Sequence, residues 1–193
     1  MNVIAQAANL FLDRVIIMAF AVMNNHFHFI ISGEVEDIQG FFAFIVKRLS
    51  RRIMEITGLK LQIKEVKDLL SLRNNIIYVN RNGYVANPNH TPFSYPWGTG
   101  RYYYNECPVD GVVGDKSITE LRILFKGRAP QLPDDWRLCK GYVTPDSYCS
   151  IRFGMGLFIR SFVAVKAHQR LVCNQPTVKM SIICVKNTTF AVR

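Results

Sequence analysis

The sequence predicts a mixed α+β domain, in which strand-like and helix-like segments follow one another along a single chain. Two apolar segments, Arg14 to Met23 and the stretch from His26 to Ser32, have the composition of β-strands and are separated by two asparagines. A segment from Asp37 to Thr57 has helical periodicity, and a further strand and a further helix follow between Leu61 and Asn82. At 193 residues, the chain is long enough for one domain with a substantial core.

The chain begins with a predicted short helix from Ile4 to Asp13, ahead of the first strand. Asn24 and Asn25 form a turn signal between the two strands, because asparagine tolerates the backbone conformations that tight turns require. The two strands are therefore predicted to pair as a β-hairpin.

The second predicted helix begins at Asp37, which can cap it, and ends before Gly58. Its apolar residues recur at helical spacing: Ile38, Phe41, Phe42, Ile45, Leu49, Ile53 and Ile56. A basic stripe runs beside them, made of Lys47, Arg48, Arg51 and Arg52. The stripe is either a solvated face or a set of phosphate contacts, and charge alone does not choose between the two.

The third predicted helix follows a strand from Leu61 to Val66 and is capped by Asp68. It is predicted to end near Asn82, because Gly83 is a typical helix terminator. Tyr78 and Asn82 are four residues apart, so their side chains lie on one face of this helix.

Three segments are predicted along the chain. Residues 1–105 contain the hairpin and the long helices, and residues 106–150 form an accessory helical and loop-rich segment opened by a capping box at Ser117 and Glu120. Residues 151–193 form a basic tail with seven Lys or Arg and no Asp or Glu. This tail is interpreted either as a truncated or frame-shifted end or as a DNA-binding extension.

The charge of the chain favours a polyanionic partner. Lys and Arg number 24 against 14 Asp and Glu, a formal charge of +10 that suits nucleic acid or a membrane surface. The apolar run from Val15 to Met23 is too short to span a bilayer, and no basic leader precedes it. Five widely spaced cysteines without a CxxC pair indicate neither a disulfide framework nor a zinc knuckle, so a soluble protein of the reducing cytoplasm is expected.

The stretch VMNNHFHFIIS contains the most specific pattern in the chain. Successive side chains of a strand point to opposite faces, so His26 and His28 share one face and could bind one metal ion. Taken alone, the pair is equally well explained as two buried, hydrogen-bonded histidines. A histidine triad of the nucleotide hydrolases is excluded, because Ile30 occupies the position of the third histidine.

Tyr78 and Asn82 give the histidine pair a possible chemical role. Two imidazoles and one amide oxygen leave open positions on a divalent ion, which can polarise a phosphoryl oxygen. A phenol has a pKa of about 10 and needs such assistance to attack phosphorus at neutral pH. The alternatives are an aromatic core residue for Tyr78 and a helix cap for Asn82.

In this order and combination, the motifs resemble those of the single-tyrosine HUH transposases, in particular the REP-associated tyrosine transposases of bacteria. VMNNHFHFIIS resembles that family's histidine strand, and YVNRNGYVANP resembles its tyrosine helix. The segment FSYPWGTGRYYYN resembles the one that often follows. The resemblance covers approximately Asn9 to Asp146.

The resemblance implies a ferredoxin-like βαββαβ core that cleaves single-stranded, hairpin-forming DNA with Mg²⁺ or Mn²⁺. It implies that Tyr78 is the nucleophile and becomes joined to the 5′ phosphate, and that His26, His28 and Asn82 are metal ligands. It also implies a DNA-binding role for the basic residues Lys47, Arg48, Arg51, Arg52 and Arg81. The protein is expected to act as a monomer or a homodimer, away from membranes.

The sequence departs from the family at its beginning. Family members start with one more strand, which lies in the centre of the sheet beside the histidine strand, whereas this chain starts almost at the first helix. Two interpretations of this departure are open: either residues upstream were lost, or the sheet is incomplete and the histidine strand is unpaired along one edge. A relaxase, a replication initiator and a non-catalytic single-stranded DNA-binding remnant of such a transposase are the competing interpretations.

Overall fold

The structure, a computed structural model, describes residues 1–24, 26–51, 59–87, 89–91, 93–158 and 180–187, the last of these by its backbone alone. It confirms a mixed α+β architecture. The first half contains α1 (Asn2–Leu10), β1 (Val15–Val22), β2 (His26–Gly33), α2 (Val35–Ser50), β3 (Leu59–Val66) and α3 (Leu69–Ala86). The second half contains β4 (Gly111–Val112), α4 (Ile118–Leu124), β5 (Arg137–Cys139), β6 (Tyr142–Val143), α5 (Ile151–Gly156) and β7 (Met180–Asn187).

The larger sheet has the strand order β1-β2-β7-β3, and each neighbouring pair is antiparallel. The predicted hairpin is present, with Phe20 opposite Phe29. The expectation that the histidine strand has an unpaired edge is wrong, because Ile183 of β7 lies opposite Phe29 on one side and Ile63 on the other. A strand from the predicted basic tail thus closes the sheet, satisfying backbone groups that would otherwise form an open edge.

Helices cover the two faces of this sheet. Phe29 packs edge-on against Phe41 and Phe42 of α2, with ring centroids 6.0 and 5.1 Å away. Phe11, immediately after α1, packs against Phe41 in the same layer. His28 points to the opposite face, because it is adjacent to Phe29 in the strand, and there its ring meets α3. The sheet therefore lies between the α1–α2 layer and α3.

The predicted boundary of α2 needs correction at its first residues. Asp37 does not cap this helix: Glu34 is the N-cap residue, and Asp37 lies in the first turn. There its carboxylate forms an ion pair of 2.7 Å with Arg14, just ahead of β1. The predicted extension to Thr57 and the stop at Gly58 lie outside the described residues.

The prediction that α3 stops near Asn82 is also wrong. Asp68 does cap the helix, accepting a hydrogen bond of 2.8 Å from the backbone N–H of Ser71, but the helix continues to Ala86. Gly83 therefore lies inside the helix, where a Cβ atom would come within 2.1 Å of the Tyr95 ring. The glycine allows a close contact between helix and loop and does not terminate the helix.

The accessory segment shares its core with the large sheet. Asn2 of α1 donates hydrogen bonds to the carbonyl oxygens of Leu124 and Gly141, and its side-chain oxygen accepts one from the N–H of Val143. The predicted capping box is present, with Ser117 and Glu120 bonded reciprocally at the start of α4. The accessory segment also contains a small three-stranded sheet with the strand order β4-β5-β6. None of the helices in the described segments has the length and apolarity needed to cross a membrane.

Candidate functional site

The two histidines lie side by side at the beginning of β2. Their ring centroids are 4.7 Å apart and the rings are nearly perpendicular, at 88°. His28 is buried, whereas His26 is partly open to solvent. Because β2 is hydrogen-bonded to β1 on one side and to β7 on the other, the backbone carrying this pair is held in place from both edges. Asn25, which precedes the pair, lies outside the described residues.

Tyr78 meets the histidine pair from α3. Its ring centroid lies 5.4 Å from that of His28, at an interplanar angle of 78°, and the side chain remains 48% exposed. The three rings belong to one chain, so the arrangement needs no residue from a second copy. A half-exposed phenol beside a buried imidazole is accessible to an external ligand, which an aromatic core residue would not be.

Asn82 lies one turn further along α3 and is almost completely buried, with 7% of its surface exposed. Its side-chain Nδ2 has no hydrogen-bond partner within the described part of the chain. Buried amides are nearly always hydrogen-bonded, and the oxygen and nitrogen of an amide can exchange places by a half rotation. Asn82 does not cap the helix, which ends four residues later, and the Nδ2 position of its amide is the unpaired one among the described residues.

Tyr95 fastens α3 to the histidine hairpin. Its ring packs against Gly83, and its hydroxyl donates a hydrogen bond of 2.6 Å to the carbonyl oxygen of Val22, at the end of β1. Burial raises the pKa of Tyr95, so this hydroxyl keeps its proton and remains a donor. No local pattern in the sequence indicates this connection, because Tyr95 and Val22 are 73 residues apart.

A second connection runs through Thr99, which is fully buried. Its hydroxyl donates a hydrogen bond of 2.7 Å to the side-chain oxygen of Asn80 in α3 and accepts one of 3.0 Å from the N–H of Phe20 in β1. These two bonds fix the rotation of α3 relative to the sheet. The segment WGTG, with its small residues, was the only sequence signal for so close an approach.

Two of the other tyrosines, Tyr102 and Tyr103, differ from Tyr78 in burial. Tyr102 and Tyr103 lie in the core, and burial raises the pKa of Tyr102 to about 12 and that of Tyr103 still further. The Tyr103 hydroxyl donates a hydrogen bond of 3.0 Å to the carbonyl oxygen of Met18. A buried phenol with a raised pKa is a poor nucleophile, so neither residue competes with Tyr78 in reactivity.

The distance between the two histidine rings is compatible with a shared metal ion. An imidazole nitrogen about 2.1 Å from a divalent ion puts its ring centroid roughly 3.2 Å from the ion, and two imidazoles whose bonds to the ion meet at a right angle have centroids about 4.5 Å apart. The observed centroid distance is 4.7 Å. Among the described residues, no group of three His, Cys, Asp or Glu side chains comes together. Asn82, with its unpaired Nδ2 position, is the amide that the resemblance implies as the third ligand.

The predicted basic residues lie in two places. Lys47, Arg48 and Arg51 belong to α2 or its end, and α2 covers the face of the sheet opposite to Tyr78. Arg48 donates a hydrogen bond of 3.0 Å to the side-chain oxygen of Gln6, so it is engaged within the fold. The stripe is not brought together with the histidines, and Arg52 lies outside the described residues. Arg81 is exposed on α3, less than one turn after Tyr78.

These side chains define a partly open cluster of two imidazoles and one phenol on an α+β fold, with a buried amide one helical turn after the phenol. Comparisons of the chain with protein-family models, with curated proteins and with solved structures gave no match.

Proposed function

We propose that this protein is a metal-dependent single-stranded DNA endonuclease and strand transferase of the REP-associated tyrosine transposase type, acting on hairpin DNA. The observation that carries the proposal is the position of Tyr78, half exposed and with its ring 5.4 Å from that of His28. A nucleophile must reach its substrate and also lie beside the groups that stabilise its charged form.

The strand order supports this proposal. Strands β2 and β3 are joined by α2, and β7 is inserted between them, which gives the split arrangement of a ferredoxin-like sheet. In this interpretation β7 takes the central position that the family's first strand occupies. The fold is then a ferredoxin-like sandwich with its central strand contributed from the end of the sequence, and α3 is the tyrosine helix on its histidine face.

The proposed reaction is a transfer of one phosphodiester linkage to the protein. The Tyr78 oxygen attacks the phosphorus atom, a bond forms between them, and the bond from phosphorus to the 3′ oxygen breaks. The phenol loses its proton and the departing 3′ oxygen gains one, which leaves a 5′ phosphotyrosine and a free 3′ hydroxyl. Attack by another 3′ hydroxyl on the phosphotyrosine reverses these changes and completes strand transfer.

His26, His28 and Asn82 would hold Mg²⁺ or Mn²⁺ in this site. When bound, the ion supplies positive charge that polarises the phosphoryl oxygen and favours the phenolate form of a nearby tyrosine. The rest of the protein holds these side chains in place. Strand β2 is paired on both edges and α3 is hydrogen-bonded through Thr99 to β1, with Tyr95 packed between them, so the imidazoles and the phenol are already in contact before substrate arrives. This preorganisation removes part of the entropic cost of reaction.

The positive charge of the chain and the opening of the site to solvent favour single-stranded DNA as the substrate. A formal charge of +10 favours a polyanion, and the site opens beside an exposed helix surface that a flexible single strand can follow. A single chain carries Tyr78 and both histidines, so cleavage within one subunit is the arrangement we propose.

Covalent capture tests the proposal. The protein, incubated with labelled hairpin DNA carrying single-stranded tails and Mn²⁺, should give a product that stays joined to DNA in denaturing gels. Tyr78→Phe should give none, because it lacks the attacking oxygen but keeps the ring.

The matched control is Tyr142→Phe, at a tyrosine whose side chain is 41% exposed, which should form the product at the wild-type level. An adduct of undiminished yield in Tyr78→Phe would exclude the assigned nucleophile. Metal-independent binding of the hairpin, with no adduct from any variant, would instead identify a non-catalytic DNA-binding protein.

A further inference from the structure

An apolar cavity of about 330 Å³ opens on the flank of α3, away from the histidine pair. Ile77 and Arg81 of the helix line one side of it, and Phe93, Tyr104 and Phe158 line the other. Cavities of this size accept small planar ligands. The cavity shares its helix with Tyr78, so a ligand bound there lies close to the site described above.

Two aromatic side chains stand at this cavity with much of their surface open to solvent: Phe93 is 56% exposed and Tyr104 is 61% exposed. Tyr104 adopts a left-handed backbone conformation, with a φ angle of 59°, which is unusual for a residue with a bulky side chain. Its hydroxyl donates a hydrogen bond of 3.1 Å to the carbonyl oxygen of Met155, which holds the ring in position. Conformational strain of this kind is concentrated at functional sites.

The polar groups in the cavity wall are already engaged. The side-chain oxygen of Asn80 accepts a hydrogen bond from Thr99, and the Tyr103 hydroxyl donates to the carbonyl oxygen of Met18. Arg81 remains as the charged group at the cavity, and it forms no ion pair with another described residue. The surface therefore offers aromatic rings and one cation, with little hydrogen-bonding capacity.

We propose that this cavity binds one unstacked nucleobase of the single-stranded DNA that Tyr78 attacks. The proposal rests on the proposed function, which supplies the identity of the ligand. Aromatic rings and an arginine guanidinium are the groups on which unpaired bases stack, and the same arginine can neutralise a neighbouring phosphate.

The geometry of α3 sets the distance between the bound base and the scissile phosphate. Arg81 follows Tyr78 by three residues, which corresponds to a rise of about 4.5 Å along the axis and a rotation of about 60° between the two side-chain directions. Ile77 precedes Tyr78 and is turned about 100° from it, toward the same side as Arg81, so Ile77 and Arg81 are only about 40° apart around the helix. The cavity thus receives the base of a nucleotide one or two positions from the cleaved linkage.

The binding should depend weakly on which base is present. Stacking is available to every base, because each has a π-face, and the engaged polar groups leave few contacts that could identify its edge. The cavity would hold the strand in register while sequence or hairpin recognition occurs elsewhere.

A binding experiment that needs no catalysis tests this. All variants are made in the Tyr78→Phe protein and studied with a chelator, using a fluorescent hairpin that has a single-stranded tail. A second hairpin has the same phosphates but an abasic tail, so the two differ only in their bases. The parent protein should bind the abasic form more weakly, by at least about 5-fold, the smallest effect expected for loss of one stacked base.

Phe93→Ala should bind both hairpins with the affinity that the parent protein has for the abasic one. Ile77→Trp, which fills the cavity, should behave in the same way. Tyr142→Ala removes an exposed ring outside this cavity and should keep the full difference between the hairpins.

Equal binding of the two hairpins by the parent protein would overturn the proposal, as would a loss in Tyr142→Ala as large as in Phe93→Ala. Because the assay contains neither metal nor a nucleophilic oxygen, its result is independent of adduct formation. Covalent capture without base-dependent binding would leave the proposed function standing and remove this inference alone.

Discussion

Replacing Gly83 by alanine should destabilise the protein, although alanine is the better helix former. The substitution gains about 1 kcal/mol of helix propensity relative to glycine. Against this, the new methyl group would lie 2.1 Å from Cγ and 2.2 Å from Cδ1 of Tyr95. Carbon atoms in contact prefer about 3.5 to 4.0 Å, so the Tyr95 ring would have to move by more than an ångström.

The cost of that movement can be worked out from what Tyr95 does. Exposing a buried aromatic side chain costs about 1.5 to 3 kcal/mol. Losing the hydrogen bond from its hydroxyl to Val22 costs about 1 kcal/mol more. After subtraction of the helix gain, the free energy of unfolding of Gly83→Ala should be about 1.5 to 3 kcal/mol below that of the wild type.

Urea unfolding followed by circular dichroism measures this difference, and Gly40→Ala is the matched control. Gly40 also lies within a helix, but its added methyl group would be 3.1 Å from two ring atoms of Phe11, a contact that a small shift relieves. Its stability should change by less than about 1 kcal/mol, because the propensity gain and the minor crowding offset each other. If Gly83→Ala were as stable as the wild type, the close packing of α3 against Tyr95 would not contribute as described.

Two further substitutions test how the site is held. Thr99→Val keeps the shape of the side chain but leaves the Asn80 oxygen and the Phe20 N–H without their partner. The free energy of unfolding should therefore fall by about 1 to 3 kcal/mol in the same urea assay, and a change below about 0.5 kcal/mol would argue against these bonds. Ile183→Pro removes a backbone N–H from the central strand β7 and should cost at least about 3 kcal/mol, whereas Ile183→Ala, which keeps the N–H, separates the backbone effect from that of the side chain. Equal losses in the proline and alanine variants would contradict the pairing of β7 with β2 and β3.

The sequence alone was sufficient to predict the elements that depend on residues close together in the chain. The hairpin was predictable because an alternating histidine strand follows an apolar strand and two asparagines, and β1 and β2 pair as expected. The placement of His26 and His28 on one face follows from strand geometry alone. The capping residues Asp68 and Ser117 were also identified correctly, since each acts on a backbone N–H three residues away.

The features that the sequence did not reveal depend on distant partners. β7 lies in the middle of the sheet, its segment MSIICVKN has no alternating pattern, and nothing near it in the sequence indicates a partner about 150 residues earlier. Gly83 was interpreted as a helix end because the contact with Tyr95 that requires a glycine is made by a later loop. The rotation of α3 that brings Tyr78 to His28 depends on Thr99 in the same way.

The central position of β7 has a consequence for synthesis of the chain. While residues 1–158 emerge from the ribosome, the apolar strand that carries His28 and Phe29 has no neighbour along one of its edges, because that neighbour is translated only afterwards. For most of its translation, the nascent protein would thus expose an unpaired apolar strand to which chaperones or other nascent copies can bind. The backbone of the histidine pair would therefore gain its second neighbour only when residues 180–187 insert, so the candidate site would be completed late in synthesis.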